Sequence, residues 1–414
     1  MKDTSLMSKF RLAHLGLVMA AVGFTAAAPL AGLVSAAYAA DTVRADVGKP
    51  LQEAQRLLGA GKAREAVAKL KDADAVGNKT EFEKYQIERV RAAAASTAGD
   101  TPTAIKAFET LIASGRLSAA EKGKFNEGLA GMYYRAKDYP KAITAIQGVL
   151  KDNPGNVQMQ QLLTQTYFIS GRYNEAAAAL KSGKQSEESL QMLANIQLKQ
   201  NDKTGYVQTI EKLAGSYPKA SYWADLLNRV QGKPGFSRTL GMDVLRLRLA
   251  MGQLTKPSEF MEMAQLALQA GNAPEAIKII DQGYKKGALG TGTDAGRHQR
   301  LKDLANKTLA DNTAAQATQQ ATYIKEKDSD NLFNMGYAMV SAGKAEGIAL
   351  MEQAIKFGTA RRPEEQKLHY GIALYNAGKK QQAIAALKDV KGTAGESDLA
   401  RYWTLHINNP GSAA

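Results

Sequence analysis

A small residue returns along this chain at an almost regular interval. Ala66, Ala104, Ala142, Ala176, Gly205, Ala276, Gly347 and Ala383 each precede a short apolar stretch, in phrases such as GKAREAVAKL (61–70), RYNEAAAAL (172–180), NAPEAIKII (272–280) and GKKQQAIAAL (378–387). The successive spacings are 38, 38, 34, 29, 71, 71 and 36. Each gap of 71 is close to two units, and helical hairpins read around Thr239 and Ala314 fill them, so the chain is expected to hold about ten units with a period near 35. A period of this length means one supersecondary unit, repeated, that buries its apolar face only against its neighbours.

The unit at 121–156, EKGKFNEGLAGMYYRAKDYPKAITAIQGVLKDNPGN, shows what is repeated. Leu129, Met132 and Tyr133 recur at helical spacing and give a first helix its apolar stripe. AKDY makes the turn, and Pro140 suits the first turn of a second helix, where a missing N–H does no harm. Ala142, Ile143, Ile146, Val149 and Leu150 form the apolar face of that second helix, which Asn153-Pro154-Gly155 ends. Where two antiparallel helices cross most closely, only Ala or Gly lets the backbones approach, and a larger side chain costs roughly 1–3 kcal/mol by overpacking. Low aromatic content (7%), abundant alanine and few β-branched runs agree with helices packed through small side chains and not with a sheet.

The pattern resembles the tetratricopeptide repeat, a 34-residue helix-turn-helix. The residues that carry the resemblance are Leu129, Ala130, Tyr133, Ala142, Ile146, Val149 and Pro154 in the third unit, Leu163, Tyr167, Ala176 and Leu180 in the fourth, and Gly371, Ala383 and Leu387 in the tenth. Trp223 falls at the aromatic position of the sixth unit and Trp403 at that of a truncated eleventh, which reads as a capping helix. The resemblance covers about residues 45–407 and is loose in the short fifth unit, in the QGKPGFSR turn of the sixth and in the polar eighth. It implies an all-α chain, an α-solenoid of about ten helix-turn-helix repeats forming a right-handed superhelix with a C-terminal capping helix. The expected division is N-terminal repeats over 40–200, divergent middle helical repeats over 201–330, and C-terminal repeats with the capping helix over 331–414.

The first residues read as an export signal over 1–39. Lys2, Lys9 and Arg11 form a positive n-region, LGLVMAAVGFTAAAPLAGLV is an apolar h-region broken by Pro29, and Ala37-Tyr38-Ala39 supplies small residues for cleavage. The expectation is a periplasmic protein secreted through the general pathway, with a mature chain from about Ala40; the alternative is an uncleaved anchor. With no cysteine in the chain, it is not a lipoprotein and has no disulfides. Removing Lys2, Lys9, Arg11 and Asp3 takes the formal +14 to about +12, a surface suited to anionic partners or simply well solvated.

Motifs for catalysis are missing from the sequence. His298, His369 and His406 each stand alone, and no HExxH, Gly-x-Ser-x-Gly elbow or phosphate-binding loop occurs, so no enzyme, metal or cofactor is expected. His369 reads as a groove or packing residue on a first helix. The glycine run at 290–296 imitates a dinucleotide fingerprint, but a helix precedes it and not a strand. DADAVGNKTEFE (72–83) places Asp72, Asp74, Gly77 and Glu83 at positions 1, 3, 6 and 12 of an EF-hand loop, yet Val76 stands where a ligand is needed, and a plain polar turn is the preferred reading.

What remains is a concave surface, which in this family the first helices normally line. The candidate partner-binding residues are Tyr134, Arg135, Gln161, Gln165 and Phe168 in units three and four, and Tyr375 and Asn376 in unit ten. Aromatic and amide side chains there suit an extended peptide. The expected function is a non-enzymatic periplasmic scaffold or adaptor binding an envelope protein or peptide, without nucleic acid. The alternative is an accessory protein that binds an anionic glycan or lipid surface in cell-wall or exopolysaccharide processes.

Overall fold

The computed structural model describes residues 42–410, apart from positions 184 and 218. The proposed export signal and cleavage site therefore lie outside the described residues. Every regular element among those residues is helical, with twenty α-helices and one 3₁₀ turn. No described helix is long and apolar enough to cross a membrane. Among the described residues the fold is an all-α helical-repeat array, and it divides into two compact units, one up to residue 183 and one from residue 185.

The first unit holds four hairpins: α1 (Ala45–Gly59) with α2 (Ala63–Ala75), α3 (Glu81–Ala98) with α4 (Thr101–Ala113), α5 (Ala119–Arg135) with α6 (Tyr139–Asp152), and α7 (Val157–Ile169) with α8 (Tyr173–Ser182). Local chemistry fixes where these helices start. Thr80 and Glu83 form a reciprocal capping box on α3, as Ser118 and Glu121 do on α5, while Asp100 and Asp138 cap α4 and α6 by accepting a backbone N–H. The recurring alanines Ala66, Ala104, Ala142 and Ala176 are at most 1% exposed, as a close crossing requires. The core is a succession of small clusters passed from hairpin to hairpin. Val47, Leu51 and Leu70 meet Ile87; Phe108 packs on Phe125 beside Leu129 and Met132; Ile146 and Val149 meet Leu162. Each hairpin buries its apolar stripe mainly on the next, which is the nearest-neighbour logic of a repeat array.

The second unit contains α9 (Glu187–Lys199), α10 (Lys203–Ser216), α11 (Ala220–Gln231), the 3₁₀ turn Arg238–Leu240, α12 (Gly241–Ala250), α13 (Pro257–Gln269), α14 (Ala273–Lys285), α15 (Ala295–Glu326), α16 (Ser329–Ser341), α17 (Gly347–Phe357), α18 (Pro363–Asn376), α19 (Lys380–Lys388) and α20 (Glu396–Asn408). Two of the inferred crossings are corrected here. Ala314 sits in the middle of the 32-residue helix α15, about 48 Å long, where no hairpin turn exists. The stretch 297–335 contains no Gly or Pro, so nothing breaks the helix until Lys327 adopts φ 51°. Thr239 lies in the 3₁₀ turn, with its hydroxyl bonded to Glu365.

The last helix is more than a cap. α20 packs on α18 and α19 and also on α10 and α12, far back in the chain. Arg401 pairs with Glu211 at 3.1 Å, Lys233 with Asp398 at 3.0 Å, and the Ser237 N–H donates to the Ala394 carbonyl at 2.9 Å. One large core results, joining Trp223 and Leu226 to Leu332, Leu368 and Trp403. The segments 201–330 and 331–414 thus share a core within one unit.

Candidate functional site

Two adjoining clefts open on the second unit. The larger has about 410 Å³ of open space and is walled by α12, the α13–α14 turn, α16 and the start of α18. On its floor Asp243, only 1% exposed, accepts from Arg246 Nη1 (2.8 Å) and from His369 Nε2 (2.9 Å). Arg246 forks onto Glu275 through Nε (2.7 Å) and Nη2 (2.8 Å), and its guanidinium lies 5.0 Å from the centre of the Tyr337 ring. Asn272, buried under the same corner, donates to Glu275 and to Ser341. At the mouth, Arg361 Nε donates to Asp330 (2.5 Å), and Arg362 faces Glu365 at 3.5 Å.

Burial and pairing set the charge states on that floor. Desolvation opposes the ionised form of Asp243, but the charges and hydrogen bonds of His369 and Arg246 outweigh it and hold the carboxyl below the ordinary carboxylate value. Burial likewise opposes the Arg246 cation, and Glu275 and Asp243 overcome it, leaving the guanidinium more firmly protonated than usual. Burial pushes the Tyr337 hydroxyl far above its ordinary value, and that hydroxyl has no hydrogen-bond partner among the described residues. Since a carboxylate can only accept, Nε2 of His369 carries a proton towards Asp243. His369 is thus a groove residue and a floor residue at once.

The second cleft, about 280 Å³, lies between the outer half of α15 and the exposed side of α16. Asn312, Gln316 and Gln319 line the α15 wall, with Asn334, Met335 and Met339 opposite, and Lys344 is its one charged lining residue. Ala270 and Asn334 border both clefts, which makes the two continuous.

The sequence-derived partner residues divide between the two units. In the first, Tyr134 is half-buried and packs on Tyr139 (ring centres 6.1 Å apart), and Phe168 packs on Tyr173 at 5.8 Å. Both members of the pair recur after 34 residues, each bridging the turn of its hairpin. The preceding tyrosines repeat as well: Lys141 lies over the Tyr133 ring and Arg172 over the Tyr167 ring. Arg135 and Gln161 are exposed and Gln165 is half-buried, on the neighbouring first helices α5 and α7. In the second unit, Tyr375 packs on Trp403 and His406 at about 6 Å, so its ring is shared with the core, while Asn376 is exposed.

Family models for the tetratricopeptide repeat match residues 90–157 and 130–189, and a second such model matches 188–220. Residues 90–220 thus carry tetratricopeptide repeats. The matched stretch contains the same hairpins that carry the repeated tyrosines. Among solved structures, the chain is similar to Naa15/Naa10 bound to HypK-THB, at 14% identity over 89% of this chain and 62% of that one, with a TM-score of 0.33. It is also similar to the P58(IPK) TPR domain, at 12% identity over 87% of this chain and 98% of that one, with a TM-score of 0.22. The chain thus spans under two thirds of the length of the first of these. No curated protein matches the sequence. Tetratricopeptide repeats build protein-interaction scaffolds.

The remaining motifs are absorbed by the helical array. Asp72 and Asp74 belong to the last turn of α2 and pair with Lys69 and Arg91, while Glu83 is committed to Arg44 and the Thr80 cap, so this stretch is a helix end followed by a turn. Hydrogen bonds from Arg44 pull the Glu83 carboxyl down to about 2. The glycines at 290 and 292 form the α14–α15 turn, and the Gly290 N–H donates to buried His298. No group of three or more His, Asp or Glu among the described residues is arranged to hold a metal ion. Sequence reasoning missed Asp243, Arg246 and Glu275. Nothing in the chain marks them apart from the i,i+3 spacing of Asp243 and Arg246 on α12, because Glu275 lies on α14 and His369, the partner of Asp243, is more than a hundred residues further on.

Proposed function

We propose that this protein is an exported, non-enzymatic adaptor of the bacterial cell envelope, and that its second unit holds an extended segment of a partner protein. The observation that carries the reading is the continuity of the two clefts through Asn334 and Ala270, with side-chain amides along the wall. Amides donate and accept in the same group, so a row of them can pair with the alternating N–H and C=O of a main chain. Half-buried Met335 and Met339 supply apolar contact that adapts to varied side chains. The positive n-region, the apolar stretch and the small residues at 37–39, read as an export signal, support the envelope location.

Affinity capture from an envelope extract tests the adaptor role. The intact chain should retain a defined partner that Asn334→Ala with Gln319→Ala releases. Equal retention by that double variant, or a mature protein recovered only from the cytoplasm, would contradict the reading.

A further inference from the structure

The charge of the whole chain points to an acidic partner, but the clefts do not. In the larger cleft, Arg246, Arg361 and Arg362 face Asp243, Asp330 and Glu365, so the lining charges cancel, and Glu275 behind Arg246 adds a further carboxylate. Each of these carboxylates is already satisfied from within. Asp243 accepts from Arg246 and His369, Asp330 from the Arg361 side chain and backbone N–H, and Glu365 from Thr239 and Ser237. The second cleft has only Lys344. An anion entering the larger cleft would lose its hydration without finding a cation that is not already paired, exposed Lys344 in the second cleft being the one exception, and a cation would find no unpaired carboxylate.

The open hydrogen-bonding capacity is of another kind. The amides of Gln269, Gln319 and Asn334 have no partner among the described residues, and the His369 ring, held by Asp243 through Nε2, lines the same surface. We infer that the joined clefts take an uncharged polar segment, rich in Ser, Thr, Asn or Gln, whose main chain pairs with Asn334 and Gln319. A side-chain hydroxyl or amide of that segment, able both to donate and to accept, pairs with Nδ1 of His369. This rests on the peptide-binding reading above and adds to it the chemical class of the partner.

Methionine methyl NMR on the full mature chain separates the two claims, because Met335 and Met339 line the second cleft and Met242 the larger one. The probes are three blocked peptides: a Gln-Ser repeat, and the same repeat with each Gln replaced by Glu or by Lys. The Gln-Ser peptide should shift all three methyl signals, bind at least about tenfold more tightly than either charged peptide, and change little with added salt. Asn334→Ala should weaken binding at both clefts. His369→Leu, checked for folding by its amide spectrum, should remove the Met242 response while Met335 and Met339 still respond. Tighter binding of the Glu or Lys peptide, a steep salt dependence, or shifts confined to Met335 and Met339 would overturn the inference and leave peptide binding standing. No shift with any of the three would overturn both.

Discussion

The closest backbone approach in the second unit offers a sharp test of the small-residue logic. A Cβ added to Gly336 on α16 would stand 2.6 Å from the Gly347 carbonyl oxygen and 2.8 Å from Met351 Cγ, and one added to Gly347 would stand 2.3 Å from the Gly336 carbonyl. Both near contacts involve main chain, which cannot rotate away, so Gly336→Ala forces α16 and α17 apart. Overpacking of this kind costs about 3 kcal/mol, the upper end of its usual range. Alanine in a helix interior returns roughly 1 kcal/mol through its higher helix propensity. The net expectation is a loss of about 2 kcal/mol, read as a lower urea midpoint for the second unit with little change in slope. Gly148, mid-helix in α6 with nothing within 4 Å of its added Cβ, is the control: Gly148→Ala should stabilise by about 0.5–1 kcal/mol. If Gly336→Ala were as stable as the parent, or if both variants moved in the same direction, close crossing would not be what the period encodes.

Three further outcomes follow from the charges. Arg246→Met leaves Asp243 and Glu275 buried without their cation and should cost about 3–5 kcal/mol in the second unit, part of which Asp243→Leu in the same chain restores. Glu83 has a folded value near 2 against an ordinary 4.5, so its contribution is complete above pH 4.5 and is lost as the pH falls towards 2. Glu83→Gln should flatten the acid unfolding of the first unit across that window, followed by circular dichroism. His406 is buried beside Tyr375 and Trp403, and burial lowers its value below the ordinary 6.5. The unfolded chain therefore takes up the proton first, and stability should fall as the pH drops below 6.5. His406→Phe should remove that slope in a thermal melt series.

The repeat was readable because its physics is local. Ala104 and Ala142 announce crossings, Pro140 and Asn153-Pro154-Gly155 announce helix ends, and the aromatic positions Trp223 and Trp403 both fall in the core. Dividing the gaps of 71 into equal halves assumed that every stretch obeys the period. Around Ala314 the absence of Gly and Pro was the contrary signal, and helix-forming Ala, Gln and Lys carried α15 straight through. The floor of the larger cleft was hidden for a different reason. Asp243 and Arg246 look like solvated charges on a short helix until α18 brings His369 onto them, and a nearest-neighbour picture of repeats does not foresee α20 returning to α10 and α12.

The central claim is that a partner segment lies across the joined clefts of the second unit. A photo-crosslinking amino acid placed at Asn334, in cells that export the protein, tests it most directly, with exposed position 148 on α6 as the comparison. The account predicts a discrete adduct at 334 that is absent at 148 and is lost when Gln319→Ala and His369→Leu are added. Adducts of equal yield at both positions, or an adduct at 334 that survives those two changes, would contradict it.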